Sequence, residues 1–154
     1  MSLFNKIIKK LIKKNITISV AESCTGGLIS ETITQYSGVS KIFSVGIVCY
    51  SNKAKMKYLS VSQKNLKNYG AVSPQIALEM INNLHKIEKS NVCIATTGIA
   101  GPKGGSKTKP VGLVFIGIKF KNKSYIFKKI YKGSRRDIQI KTKNFIFKKI
   151  DQLI

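Results

Sequence analysis

The sequence predicts a single-domain α/β protein over residues 1–154, a three-layer α/β/α arrangement around a mixed β-sheet. Three observations predict it. Short runs of β-branched and apolar residues at 16–21, 43–50 and 92–97 read as buried strands. Helical periodicity fills the intervals between them. Two more strand-like runs, 111–120 and 124–131, are separated by Lys121-Asn122-Lys123, which reads as a hairpin and adds antiparallel pairing to an otherwise parallel sheet.

In chain order, Leu3, Phe4, Ile7, Ile8, Leu11 and Ile12 form an apolar stripe between lysines, the pattern of an amphipathic helix over 1–15. The strand 16–21 breaks at Glu22-Ser23-Cys24-Thr25-Gly26-Gly27, and a helical pattern runs from Leu28 to about Tyr36. Ser37-Gly38 punctuates the chain before the second strand, 43–50. Ser51-Asn52 leads into a short helix ending near Tyr58, and Ser62 caps another that Gly70 ends. Ser73-Pro74 pairs a capping hydroxyl with proline at the first helical position. That helix runs to about Ile87 with Ile76, Met80, Ile81 and Leu84 on its core face. After the strand 92–97 comes a loop of Gly, Lys and Pro from Gly98 to Pro110, then the hairpin, then a helix from about Arg135 to Leu153.

Hydrophobic residues make up 43% of the chain, enough for a packed core, and no apolar run is long enough to span a bilayer. A soluble, cytoplasmic protein with no membrane partner is expected. The three cysteines, Cys24, Cys49 and Cys93, have no paired metal spacing, and His85 is the only histidine, so neither a metal site nor a disulfide is expected. The net charge of +22 raises a nucleic-acid partner. Only Arg135 and Arg136 are arginines, however, and arginine is the residue whose planar fork reads phosphates and bases. The lysines run from Lys6 to Lys149 and accompany heavy use of Ile and Asn, which is the signature of A/T-rich codons. The charge favours an anionic ligand and argues against nucleic acid as the partner.

Three segments carry chemistry. The turn at Ser23 to Gly27 ends a strand and opens a helix, so Ser23 stands where a nucleophile would, and the N–H groups of Thr25, Gly26 and Gly27 could receive an oxyanion. Helix capping by Ser23 or Thr25 is the alternative. Tyr50-Ser51-Asn52-Lys53-Ala54-Lys55 follows the second strand, and a desolvated lysine can serve a serine nucleophile that has no histidine. Solvated surface lysines are the alternative there. Thr97, Gly98, Gly101, Gly104 and Gly105 lie in a loop whose glycines free the backbone to form a nest of N–H donors for phosphate.

Together these segments resemble the CinA C-terminal-domain family, the nicotinamide-nucleotide amidohydrolases. The resemblance rests on Val20-Ala21-Glu22-Ser23-Cys24-Thr25-Gly26-Gly27, on Tyr50-Ser51-Asn52 with Lys55, and on Gly70-Ala71-Val72-Ser73. It continues through Thr97-Gly98-Ile99-Ala100-Gly101-Pro102, Gly104-Gly105 and Lys109-Pro110-Val111-Gly112. It covers nearly the whole chain, in order. It implies a homodimer that converts nicotinamide mononucleotide to nicotinate mononucleotide and ammonia, with no cofactor. It further implies Ser23 as nucleophile, Lys55 as general base, Tyr50 beside them, and Arg135 with the glycine loop on the substrate phosphate. Gly133-Ser134-Arg135 stands where relatives carry Gly-Asp-Arg, and Gln139 stands where they carry a second arginine. Longer relatives add an N-terminal pyrophosphatase-type domain, for which these 154 residues leave no room.

Overall fold

The computed structural model describes all 154 residues. Five strands, β1 (Ile18–Glu22), β2 (Phe43–Val48), β3 (Val92–Gly98), β4 (Leu113–Phe120) and β5 (Lys123–Ile130), form one sheet in the order β2-β1-β3-β4-β5. The first three are parallel, and β4 and β5 run antiparallel to their neighbours. The expected mixed sheet and three layers are therefore present.

Helices α1 (Leu3–Lys13), α2 (Leu28–Thr34) and α6 (Arg135–Leu153) cover one face, and α3 (Asn52–Leu59), α4 (Gln63–Tyr69) and α5 (Pro74–Glu88) cover the other. The two faces divide the strand residues by the period of two. Val20 and Ile94 join Ile7, Leu11, Ile29 and Phe147 in the larger core. Ala21, Cys93 and Ala95 join Ile76, Met80 and Leu84 in the smaller one. The small strand residues let α5 lie close to the sheet. At Gly117 a Cβ would come within 2.8 Å of Ile81 Cγ2 and 3.1 Å of the Ala77 carbonyl, so only glycine fits.

The elements depart from the sequence expectation at their ends. The first strand begins at Ile18 and includes Glu22, the second stops at Val48, and a 3-10 turn over Val39–Lys41 precedes it. The hairpin closes on two residues, not three: Lys121 and Asn122 both have positive φ, 50° and 61°, the conformation that matches the twist of the flanking strands.

Five of the six helices start in the same way. Ser2, Ser51, Ser62, Ser73 and Ser134 each accept the N–H three residues on. The exception is α2, whose N-cap is Gly27 at φ 102° with no side chain to offer. Its cap comes from the preceding strand. Glu22, fully buried, accepts the N–H of Ile29 at 2.9 Å and the N–H and hydroxyl of Ser30 at 3.0 and 2.8 Å. The Thr25 hydroxyl completes the set at 2.7 Å. A carboxylate at a helix N-terminus is favourable electrostatically as well as by hydrogen bonding.

Candidate active site

The parallel strands β1, β2 and β3 end along one edge of the sheet, and the chain leaves β1 toward β2 on one side before returning to β3 on the other. Ligands in open α/β sheets bind at such a point. A cleft of about 230 Å3 opens there, lined by Ser23, Tyr50, Lys55, Thr97, Lys103 and Arg135 among others.

Ser23 follows β1 directly and is 7% exposed. Its N–H is held by the Thr96 carbonyl at 3.1 Å and by Thr96 Oγ1 at 3.3 Å, and its own carbonyl accepts the Gly26 N–H. Lys55 is the fourth residue of α3 and shares a face with Leu59, so the helix carries both inward. It is 2% exposed. Its Nζ lies 3.0 Å from Ser23 Oγ and 3.1 Å from the Cys49 carbonyl. No carboxylate lines the cleft. Desolvation therefore dominates, and it lowers the Lys55 pKa from the usual lysine value. The two nearby thiols do not supply a compensating charge, because burial raises both of their pKa values, that of Cys24 to about 12. In its neutral form, which this desolvation favours, Lys55 would present a lone pair to the Ser23 hydroxyl.

Tyr50 reaches the cleft but not the Ser23–Lys55 pair. It is 58% exposed, and its hydroxyl accepts a hydrogen bond from Arg135 Nη1 at 3.0 Å. Arg135 stands at the first turn of α6, where Ser134 and Asp137 form a reciprocal capping box. On the far wall, Thr97 Oγ1 donates to the Ala71 carbonyl at 2.7 Å, fixing the Ala71–Val72 strip that lines the cleft. Gly98, Gly101 and Gly104 line it too. No N–H from Ala100 to Gly105 donates to a backbone carbonyl. Gly98 must be glycine, since a Cβ would sit 2.7 Å from the Leu113 carbonyl.

Two expected substrate contacts, Gly26 and Gly105, are corrected, and at Thr25 the hydroxyl is taken while the N–H is free. Thr25 is buried, and its hydroxyl bonds Glu22 and Thr96. The Gly26 N–H is committed to the Ser23 carbonyl, whereas Gly27, at the start of α2 with φ 102°, keeps its N–H free. The helix N-terminus that would have drawn an anion already holds the Glu22 carboxylate. Gly105 lies outside the cleft wall. The N–H groups left without a protein acceptor in the turn are those of Cys24, Thr25 and Gly27.

Two long polar side chains at the cleft were not among the expected contacts. Asn52 and Lys103 both line it; Asn52 stands in the Tyr50-Ser51-Asn52 motif without an expected role, and Lys103 has no local signal that sets it apart from the many other lysines. Glu22 had a legible signal, a lone carboxylate at the end of an apolar strand.

A family model described as the CinA C-terminal domain matches residues 1–154. A putative competence-damage inducible protein of Clostridioides difficile is 48% identical over 139 residues, which are 90% of this chain and 33% of that protein. A CinA-like protein of Fusobacterium nucleatum is 50% identical over 127 residues, 82% of this chain and 31% of that protein. The chain thus spans about a third of the length of these curated relatives. Among solved structures, the competence/damage inducible protein CihA from Agrobacterium tumefaciens superposes with a TM-score of 0.94 at 37% identity, covering 98% of this chain and 93% of that one. A CinA superfamily protein from Escherichia coli gives 0.93 at 32% identity, covering 99% and 88%.

Proposed function

The chain belongs to the CinA C-terminal-domain family, and from that premise we propose that it is an amidohydrolase converting nicotinamide mononucleotide to nicotinate mononucleotide and ammonia. The observation that carries the reading is the buried amine of Lys55, without a counter-charge, 3.0 Å from the Ser23 hydroxyl. A surface lysine would be protonated and could not take a proton. A desolvated one can.

The chemistry follows from that pair. Ser23 Oγ attacks the carboxamide carbon as neutral Lys55 accepts the hydroxyl proton. The tetrahedral oxyanion is received by N–H groups of the turn that lack a protein acceptor, those of Cys24 and Thr25. The intermediate expels ammonia with the proton returned from Lys55, leaving an ester on Ser23. Lys55 then takes a proton from water as it attacks the ester, and returns it to Ser23 Oγ as the acid is released. Cys24 does not compete with its neighbour, because its thiol is buried and its pKa is raised. Arg135, Lys103 and the free N–H groups of the Gly98–Gly104 loop receive the phosphate. The scheme routes no step through a metal. A homodimer, as the family resemblance implies, is part of the same proposal, and sedimentation of the purified chain tests it.

Ammonia release from nicotinamide mononucleotide is the direct test of the activity. The wild-type chain is expected to release it, in the presence of a chelator as well, and Ser23→Ala to release none. A folded wild-type protein that leaves the amide intact overturns the reading.

A further inference from the structure

The turn after Ser23 is fastened at several points, although the N–H groups of Cys24, Thr25 and Gly27 have no protein acceptor. Ser23 N–H and Thr25 Oγ1 are tied to Thr96, the Glu22 carbonyl accepts the Cys49 N–H, the Ser23 carbonyl accepts the Gly26 N–H, and the Thr25 carbonyl accepts the Leu28 N–H. The Cys24 carbonyl has no partner in the turn or the sheet. Its partner comes from the other end of the chain: Gln139 Nε2 on α6 donates to it at 3.1 Å. The same amide lies over Gly26, where a Cβ would be 3.9 Å from it. Gln139 is one helical turn beyond Arg135, so a single face of α6 reaches both the cleft and the turn.

The peptide joining Cys24 to Thr25 is planar and trans, so its carbonyl and its N–H point in opposite directions. Whatever fixes the first fixes the second. The Thr25 N–H donates to no protein atom. We propose that Gln139 is a positioning residue: by holding the Cys24 carbonyl toward α6 it orients the Thr25 N–H as a donor for the oxyanion formed on the Ser23 adduct. The oxyanion part rests on the acyl-transfer reading above.

Three variants test the role. Gln139→Leu removes the donor, Gln139→Glu sets a carboxylate against the carbonyl, and Gln139→Arg keeps a donor of sufficient reach. The expected result is a kcat about tenfold lower in the Leu variant and lower still in the Glu variant, within the range lost when an oxyanion donor is removed or misaligned. KM should stay within about twofold, the pH midpoint of activity should not move, and the Arg variant should recover most of the rate. Thermal denaturation confirms that each variant is folded, and a merely structural role would not separate kcat from KM. Unchanged kcat in the Leu and Glu variants, or a rise in KM alone, overturns the inference. The rate at which a fluorophosphonate labels Ser23 separates the two failures. If the wild-type chain labels but releases no ammonia, the substrate reading falls, and the inference stands only if labelling slows in the Leu and Glu variants. If Ser23 does not label and no ammonia appears, both fall.

Discussion

Tyr50 and Arg135 meet across the mouth of the cleft, hydroxyl to guanidinium at 3.0 Å, and neither is hydrogen-bonded to Ser23 or Lys55. A tyrosine that relayed the serine proton would need a bond to one of that pair. The bond it has makes it a support for Arg135.

The kinetic consequence is a division of labour. Arg135→Ala removes a charge-assisted contact to phosphate, worth about 1.5–3 kcal/mol, and is expected to raise KM about tenfold or more with a smaller change in kcat. Tyr50→Phe leaves the guanidinium in place but unsupported, so KM should rise only about two- to threefold. Steady-state kinetics on both variants checks this. A collapse of kcat in Tyr50→Phe would place the tyrosine on the proton path instead.

Lys55 makes a second prediction, with opposite signs for activity and stability. Its pKa is lowered in the fold by desolvation. Activity that needs the neutral amine should therefore rise with pH through that lowered value and reach its plateau below the usual lysine value of 10.5. For stability, the unfolded chain holds a proton that the folded chain has lost anywhere between the lowered and the usual value. Lys55 thus costs nothing above the usual value, costs progressively more as pH falls across that window, and costs a constant amount below it. Lys55→Met should abolish turnover, by about 10³-fold or more, and raise Tm at neutral pH. Lys53→Ala, on the exposed face of α3, should change neither.

Glu22 carries a third. Its carboxylate accepts from four donors and is the only cap α2 has. Glu22→Gln would turn an N–H group toward those donors, with a cost of about 2–3 kcal/mol and a Tm lower by about 5–10 °C in a chain of this size. Because Ser23 follows Glu22 directly, kcat should fall with it. A variant of unchanged Tm would mean that another group caps α2.

These residues show what a sequence discloses and where it stops. Ser73-Pro74 fixes the start of α5 by local chemistry alone, and the alternation along β1 and β3 assigns Val20 and Ile94 to one core and Ala21 and Ala95 to the other. Lys55 is separated from Lys53 only by the family resemblance; in the structure Lys55 shares the inward face of α3 with Leu59. The start of α2 read as an anion site because a strand–turn–helix normally leaves its helix N-terminus free, and only the three-dimensional path of Glu22 shows it filled. The bond from Gln139 to Cys24 spans 115 positions and has no local signature. Tertiary placement creates it.

The last prediction concerns the charge of +22. The excess of lysine leaves only one ion pair in the structure, Lys10 with Asp151 at 3.3 Å, so nearly all the cations face solvent and their ions. DNA bound by such a surface gains by releasing counterions, and its affinity falls steeply as salt rises. A nucleotide phosphate held by Arg135 and by N–H groups of the glycine loop is a short-range contact. Screening over a Debye length of about 8 Å at physiological salt weakens it far less. Raising salt from about 20 mM to about 150 mM should therefore strip DNA from the protein while KM for nicotinamide mononucleotide changes by no more than about threefold. Fluorescence anisotropy with labelled DNA and ammonia-release kinetics in the same buffers provide the comparison. DNA binding that persists at 150 mM with a preference for sequence or structure, in a protein that turns over no amide, would make the lysine surface the functional one and the Ser23 cleft the relic.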